Sequence, residues 1–373
     1  MRTLLGLAIV VTCLAHAGGE TVVVEGVDHY RVCEPMFEGA RVVLAQRGET
    51  YSPAYIQGVS GAAFRIGGIC PCAPTCNGAM GTTDLLRLLG YEFEECTLNG
   101  EGIDPERDAP KVAERVKQEI RAGRAVLVWH AFTNAEWDVV SGFDDEKGEF
   151  IGFGSYTAGH PDVWRAAQTR MAKAVEICPA FGALIVGAKT GEFDVREAEL
   201  AALEEAVKHC HAPRDGELDK AGDKETPWKF RQGKACYDAW GHNFRVNPQK
   251  VPEAGDRYCL GIYRSTHRMA AEFLREIAPS YPQAAEHLRR AAASFDEEAD
   301  ALDRCYEKLC EGWEGWKEPD PEKAERMAEA LQVARKRYGA AVKEIERGLN
   351  AIAPERVERA HREAARDGQG EAG

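Results

Sequence analysis

The clearest hydrophobic pattern lies between residues 125 and 190, where short apolar runs alternate with polar breaks. Runs of this length that are rich in valine and aromatic residues predict β-strands, and the breaks between them predict turns. We expect strands at residues 125–130, 137–143, 149–153 and 183–186. Because short turns join the first three, they predict an antiparallel meander.

Helical spacing of apolar positions flanks these strands. Pro35, which suits a first helical turn, and Gly48, which ends the pattern, bound a helix over about residues 34–47. Further helices are expected at about residues 84–89, 112–123 and 162–176. The segment 55–64 carries two glycines among small residues, as where a strand begins or two backbones pack closely.

From Asp194 onward the pattern is helical. Asp194 and Glu197 have the spacing of a capping box, which predicts a helix start. Apolar stripes with three- and four-residue spacing then predict three long helices, the last two packed as an antiparallel bundle. The stripes lie at about residues 256–278, 288–309 and 327–352. We expect residues 211–256 to be mostly loops and residues 367–373 to be a disordered tail.

The N-terminus has the pattern of an export signal. Arg2 precedes an apolar core, and Ala15-His16-Ala17 is a small-x-small cleavage site. The apolar run is too short for a membrane span. The sequence therefore predicts an exported α+β protein that is periplasmic or extracellular. Its expected parts are a signal peptide at residues 1–17, an α+β domain at 18–190 and a helical domain at 191–366.

Composition narrows the partners and the chemistry. The 373 residues are 44% hydrophobic and 29% charged, as in soluble globular proteins, and 373 residues allow two domains. A net charge of −14 argues against nucleic acid or an anionic membrane surface as a partner. The spacing of Cys70, Cys72 and Cys76 matches no standard zinc site. We therefore expect no metal and no cofactor.

The cysteine count singles out Cys33. The chain has 12 cysteines, and cleavage after Ala17 would remove Cys13, which leaves an odd number. At least one thiol is then free or pairs with another molecule, whereas others are expected in disulfides of open connectivity. Cys33 stands just before the predicted helix start at Pro35, where unpaired backbone N–H groups favour a thiolate. Its alternative role is a buried disulfide or an inert thiol.

Three segments in order carry a family resemblance. They are Cys33 with GETYSPAYIQGVSGAAF at residues 48–64, IRAGRAVLV at 120–128, and VVSGFDD at 139–145. Together they resemble the N-terminal domain of the butirosin biosynthesis protein H family, a papain-like cysteine fold near the C39 peptidases. The resemblance covers roughly residues 25–190. It implies a papain-like α+β domain in which a helix-start cysteine attacks an amide or thioester carbonyl.

The resemblance assigns Cys33 as nucleophile but leaves the base open. The family's histidine position, six residues before Gly142, holds Glu136 in this chain. Neither Phe153 nor Gly154 suits the family's orienting Asp or Asn, which would fall near them. From the residues themselves, a displaced site is conceivable, with His130 as base and Glu136 or Asp138 orienting it.

Two histidines elsewhere could also serve. His267 lies on the apolar stripe of its predicted helix, where it is either a core histidine or part of a helix that covers the cleft together with Tyr263. His29 precedes Cys33 by four residues and could neighbour the thiol.

The sequence thus supports two functions. The first is an exported cysteine hydrolase or acyltransferase acting on a peptide, an amide or a thioester. The second is a catalytically inactive papain-like relative that binds a peptide or small molecule in a cleft lined by Trp137, Glu136 and Asp138. The replacement of the expected histidine by Glu136 favours the second function, and the odd cysteine count favours the first.

Overall fold

An antiparallel sheet with helices beside it is followed along the chain by mostly helical structure. The computed structural model describes residues 11–16, 19–32, 35–67, 80–155, 162–211, 215–218, 228–246, 251–252, 254–312 and 316–367. The fold is therefore of the α+β class, as the sequence predicts.

The strands are short and, apart from two in the C-terminal half, belong to one sheet. They are β1 (Val11–His16), β2 (Gly19–Val24), β3 (Tyr91–Cys96), β4 (Val126–Trp129), β5 (Trp137–Asp144), β6 (Glu149–Phe153), β7 (Trp164–Ala167), β8 (Ala183–Lys189), β9 (Asp215–Leu218) and β10 (Trp228–Arg231).

The α-helices lengthen toward the C-terminus. They are α1 (Pro35–Gln46), α2 (Pro53–Val59), α3 (Thr82–Leu88), α4 (Pro105–Arg121), α5 (Val195–His211), α6 (Lys234–Val246), α7 (Ala254–Ile277), α8 (Ala285–Asp303), α9 (Pro321–Ile352) and α10 (Pro354–Asp367). Short 3-10 helices lie at Ala62–Phe64, Arg170–Glu176 and Ala278–Ser280, and a π-helix lies at Arg304–Leu309.

The large sheet is antiparallel throughout. Its strand order is β1-β2-β5-β4-β8-β3, and β6 pairs with β5 and with β7. The hairpin of β4 and β5 has the register Trp129↔Trp137 at its turn end and Val126↔Val140 at the other. This hairpin lies in the middle of the sheet, where β4 also pairs with β8, and β5 also pairs with β2 and β6.

Packing divides the chain into two units that interleave along the sequence. The first unit comprises Met1–Ser52, Thr82–Phe193 and Ala221–Glu225, and the second comprises Pro53–Gly81, Asp194–Lys220 and Thr226–Gly373. Helix α2 and the residues after it thus pack with the C-terminal helices, although they precede most of the sheet in the sequence.

Helices cover both faces of the sheet in the first unit. Val126 and Val128 of β4 belong to a core that includes Val112 and Val116 of α4. Leu127 points to the other face, where a Cβ at Gly39 of α1 would come within 2.8 Å of its side chain. Glycine at position 39 therefore lets α1 lie directly on the strand that leads into the candidate site.

In the second unit the helices enclose the segment at residues 64–67, which follows directly from the 3-10 helix that ends at Phe64. Its backbone groups are bonded by four buried side chains from three helices. These bonds join the Tyr338 hydroxyl to the Phe64 carbonyl (2.9 Å), His267 Nε2 to the Arg65 carbonyl (2.8 Å), His209 Nε2 to the Ile66 backbone, and the Tyr263 hydroxyl to the Gly67 backbone. Buried backbone N–H and C=O groups need hydrogen-bond partners, so these four side chains stabilise the segment inside the second unit.

The predicted strands and most predicted helices are confirmed, including the helix start at Asp194, whose carboxylate accepts the Glu197 N–H at 3.0 Å. Two expectations were wrong. Residues 162–176 form β7 and a 3-10 helix instead of an α-helix, and the loop-rich stretch 211–256 contains α6. For the segment 55–64, of the two alternatives, no strand begins there, because it lies in α2 and a 3-10 helix. Close packing is found, since a Cβ at Gly58 would meet the Phe273 ring at 2.2 Å.

None of the helices in the described part of the chain is long and apolar enough to cross a lipid bilayer. The predicted signal peptide overlaps β1, whose backbone pairs with β2, and the rest of residues 1–17 lies outside the described residues. The predicted tail likewise lies outside them, except for Asp367 at the end of α10.

Candidate functional site

The turn between β4 and β5 brings three of the predicted site residues together. His130 follows β4 directly, Glu136 precedes β5 directly, and Asp138 is the second residue of β5. The His130 N–H donates to the Glu136 carbonyl at 2.8 Å, which continues the ladder of the two strands by one step. All three side chains are buried.

His130 is held by its own loop. Its backbone has a φ of 61°, a left-handed conformation that is uncommon for a residue other than glycine, and Ala135 across the turn has a φ of 53°. This geometry directs the Ala135 N–H to His130 Nδ1 at 2.9 Å. The carbonyl of His130 accepts from the Arg170 guanidinium at 2.7 Å.

These contacts decide the protonation of the imidazole. Burial, with the nearby positive charge of Arg170, lowers the pKa of His130 to about 4. The ring is therefore neutral at physiological pH, and because Nδ1 accepts a hydrogen bond its proton is on Nε2. Nδ1 already accepts the Ala135 N–H and Nε2 has no lone pair to offer, so His130 is poorly suited to accept a proton from a thiol.

Asp138 fastens the same loop from inside. Its carboxylate accepts the backbone N–H groups of Phe132 at 2.6 Å, Thr133 at 2.8 Å and Ser155 at 3.0 Å. Burial raises the pKa of Asp138 to about 7, although these hydrogen bonds oppose the rise. Because three loop amides donate to this carboxylate, it stabilises the conformation of the turn.

Glu136 is 1% exposed, and by strand alternation its side chain points to the same face as that of Asp138. The structure thus places two buried carboxyl groups at the start of β5. A buried carboxyl group is costly without partners, so this end of the hairpin is a polar centre inside the first unit.

Cys33 and Glu34 lie outside the described residues, but the chain on both sides of them is described. The Arg41 guanidinium in α1 reaches back to Asp28 Oδ2 at 2.9 Å and bonds Glu38 Oε1 at 2.7 Å. Glu38 also accepts the Arg31 N–H at 2.9 Å. This largely buried network fixes the residues before Cys33 against the helix that follows it.

Tyr30 links that segment to the hairpin. Its buried hydroxyl donates to the carbonyl of Trp137 at 2.7 Å. A residue three positions before Cys33 is therefore bonded to the residue that follows Glu136. No local sequence pattern indicates this contact, because it joins residues 107 positions apart.

Three aromatic rings lie beside the turn, and we call Trp129, Trp137 and Phe181 the aromatic cluster. The ring centroid of Trp129 lies 5.4 Å from that of Trp137 and 4.9 Å from that of Phe181. Phe181 is 43% exposed, whereas Trp129 is 3% exposed. The buried indole N–H of Trp129 has no hydrogen-bond partner. Of these three residues, only Trp137 is named in the cleft predicted from the sequence, and Trp129 and Phe181 are not.

The remaining histidine candidates have partners of their own. His267 belongs to the second unit, is fully buried, and bonds Glu298 Oε1 through Nδ1 and the Arg65 carbonyl through Nε2, both at 2.8 Å. This geometry matches a core histidine and leaves neither nitrogen for a substrate. His29 is half-buried in the first unit, and its Nδ1 is 3.5 Å from Asp28 Oδ1.

The disulfides expected from the cysteine count find no support at four described positions. Cys96, Cys210, Cys305 and Cys310 are free thiols. Burial raises the pKa of the thiols of Cys210, Cys305 and Cys310 to about 12. Cys70, Cys72 and Cys76 lie outside the described residues.

Comparison with known proteins does not assign the chain. No family model matches the sequence, and the search of curated proteins finds no match.

Proposed function

We propose that the first unit is a papain-like relative that binds a peptide or small molecule at the aromatic cluster without acyl-transfer chemistry. The observation that carries this proposal is the state of His130, whose Nδ1 accepts the Ala135 N–H and whose pKa is lowered to about 4. A cysteine nucleophile needs a neighbouring base that can take its proton.

The aromatic cluster supplies the binding chemistry. Phe181 and Trp137 offer partly exposed ring surface, and the Trp129 indole N–H is a buried donor without an acceptor. Leaving a buried donor unpaired costs about 1–3 kcal/mol. A ligand that displaces Phe181 and presents a carbonyl oxygen would recover that cost, which favours a peptide or amide with an aromatic group.

The binding test uses the full chain and N-acetyl-phenylalaninamide as the probe. We expect the indole N–H resonance of Trp129 to shift in a saturable titration and Phe181→Ala to weaken binding at least about tenfold. Val175→Ala is the matched control, because Val175 is 44% exposed in the same unit. An unchanged Trp129 resonance, or equal effects of the two variants, would contradict the proposal.

The second candidate is Cys33-dependent hydrolysis of an amide or thioester. It is favoured by the Tyr30 bond to Trp137 and by the Arg41 network, which together hold the residues before Cys33 near the hairpin. An S-phenyl thioester and iodoacetamide distinguish the two functions. Turnover that is lost in Cys33→Ser would establish catalysis. Alkylation of Cys33 that stays fast well below the ordinary thiol pKa of about 8.5 would show an activated thiolate, as this candidate requires.

Export belongs to the same proposal. Cleavage after Ala17 would remove β1, the outermost strand of the sheet, and leave β2 as the edge. N-terminal sequencing of the protein recovered from a secreting host should then begin at Gly18. A mature chain that retains Val11–His16 would count against the leader.

A further inference from the structure

Three helices of the second unit bring two histidines and a glutamate to one point. His211 is the last residue of α5, Glu346 lies in α9, and His361 lies in α10. Helices α9 and α10 are joined by a sharp turn at Ala353. Glu346 and His361 stand seven and eight residues from that turn, so they lie at nearly the same height on the two helices.

The possible ligand atoms of these residues are close enough to share an ion. His211 Nε2 is 3.4 Å from Glu346 Oε1, and His361 Nε2 contacts the same oxygen. The three atoms lie within 4.8 Å of one another. Two ligands of a tetrahedral zinc, each 2.0–2.1 Å from the metal, are roughly 3.3 Å apart. Small side-chain rotations would therefore suffice to place an ion between them.

The three side chains converge on one point. Both imidazoles direct the same nitrogen, Nε2, to a single carboxylate oxygen, and their ring centroids are only 4.7 Å apart. A divalent cation of the zinc type binds two imidazoles and a carboxylate together. The cluster therefore already has the donor atoms of such a site.

The local electrostatics also favour a cation. Glu346 supplies a carboxylate oxygen to both imidazoles. His211 is at the C-terminus of α5, where the helix dipole is negative. Lys208, one turn earlier, is paired with Glu363 at 3.2 Å, which offsets its positive charge.

We propose that His211, Glu346 and His361 bind a divalent transition-metal ion of the zinc type. The side chains of His211 and His361 are 32% and 46% exposed, so an ion can enter from solvent. Three protein ligands leave a fourth position for water or an exchangeable ligand. The ion ties α5, α9 and α10 together.

The test measures binding of Zn²⁺ alone to the full chain by calorimetry. We expect one equivalent to bind and to raise the melting temperature. His361→Gln and Glu346→Gln should weaken binding by more than about 100-fold, beyond the 10–100-fold that loss of an outer-shell partner costs. His287→Gln is the matched control, because His287 bonds Glu344 at 2.8 Å without a second imidazole, and it should bind as the wild type does.

The visible absorption spectrum of bound Co²⁺ identifies the types of ligand atom in the wild-type protein. The wild-type protein should gain visible d–d absorption and no thiolate-to-cobalt charge-transfer band, since both ligand types are nitrogen and oxygen. The proposal is overturned if wild-type protein binds neither ion saturably, if His361→Gln and Glu346→Gln bind Zn²⁺ as tightly as the wild type, or if the Co²⁺ spectrum shows thiolate ligation.

Discussion

His267 is expected to be among the most costly residues to replace in the second unit. Its Nδ1 pairs with Glu298 and its Nε2 bonds the Arg65 carbonyl, with both side chains of the pair fully buried. Glu298 Oε2 has no hydrogen-bond partner. The imidazole therefore supplies a counter-charge to a carboxylate that cannot reach water, and it also holds the enclosed segment at residues 64–67.

The magnitude follows from these contacts. A glutamine at position 267 can still reach the Arg65 carbonyl, because its amide nitrogen lies about where Nε2 lies. It cannot replace the charge, so His267→Gln leaves Glu298 buried with only the Tyr237 hydroxyl as partner. Removing one member of a buried ion pair costs about 3–5 kcal/mol. In His267→Gln/Glu298→Gln we expect about 1–3 kcal/mol of that to be recovered as coupling.

Urea denaturation followed by far-ultraviolet circular dichroism measures these differences. His287→Gln is the control, since its pair with Glu344 is a histidine–glutamate pair with the histidine side chain 29% exposed, and it should cost less than about 1 kcal/mol. A loss below about 1 kcal/mol for His267→Gln, or no recovery in the double variant, would refute the reasoning.

The same pair has a pH signature with a definite sign. Burial opposes protonation of His267, but the charge and hydrogen bond of Glu298 outweigh it and raise the pKa of His267. A raised histidine pKa stabilises the folded state fully below the unfolded pKa of about 6.5. The stabilisation is lost as pH rises through the folded pKa. The difference between wild type and His267→Gln should therefore shrink toward alkaline pH.

Three further predictions concern packing, titration and thiols. Gly58→Ala should lower the free energy of unfolding in urea by about 1–3 kcal/mol or more, because its Cβ would meet the Phe273 ring at 2.2 Å. The control Gly339→Ala, whose Cβ would have a flexible lysine carbon at 3.5 Å as its nearest neighbour, should be neutral or stabilising. Equal losses of stability in the two variants would contradict this reasoning. Because the pKa of Asp138 is raised to about 7 in the folded state, this residue should make the free energy of unfolding fall as the pH rises from about 4 to 7. The fall should be absent in Asp138→Asn. If urea denaturation at several pH values gave the same slope of stability against pH in both proteins, this prediction would be wrong. The buried thiols of Cys210, Cys305 and Cys310, whose pKa values are raised to about 12, should resist iodoacetamide until urea unfolds the chain. Peptide mass mapping would show this, and rapid native labelling of any of the three would contradict their burial.

Four of the eight strands of the large sheet, β4, β5, β6 and β8, could be predicted from sequence because they carry local signals. β2 and β3 were not predicted, and β1 and β7 lie where a signal peptide and a helix were expected. β4, β5 and β6 are apolar runs separated by short polar turns, and that spacing alone defines an antiparallel meander. Helix α6 could not, because aromatic residues and a central glycine lower its helical propensity. Its buried Tyr237, Trp240 and Phe244 pack within the second unit, and that tertiary packing makes the segment helical.

The enclosed segment shows a second limit of sequence reasoning. Residues 64–67 have no helical or alternating pattern, and their hydrogen-bond partners lie between 143 and 274 positions away. His267 could be placed on a helix by its spacing from Tyr263. That its ring bonds a backbone carbonyl of this segment depends on a long-range arrangement that no local pattern encodes.

His130, Glu136 and Asp138 meet at one turn because the predicted hairpin forms, but their roles depend on backbone geometry. The left-handed conformations of His130 and Ala135 turn an amide toward the imidazole, and no residue type at these positions requires that conformation. Asp138 then accepts the amides of Phe132 and Thr133, and Arg170 donates to the His130 carbonyl. Polar groups that a catalytic site would direct at a substrate are here used to hold the turn. A turn held in this way beside the partly exposed rings of Trp137 and Phe181 suits recognition of a ligand better than proton transfer, and this is why we favour binding over catalysis.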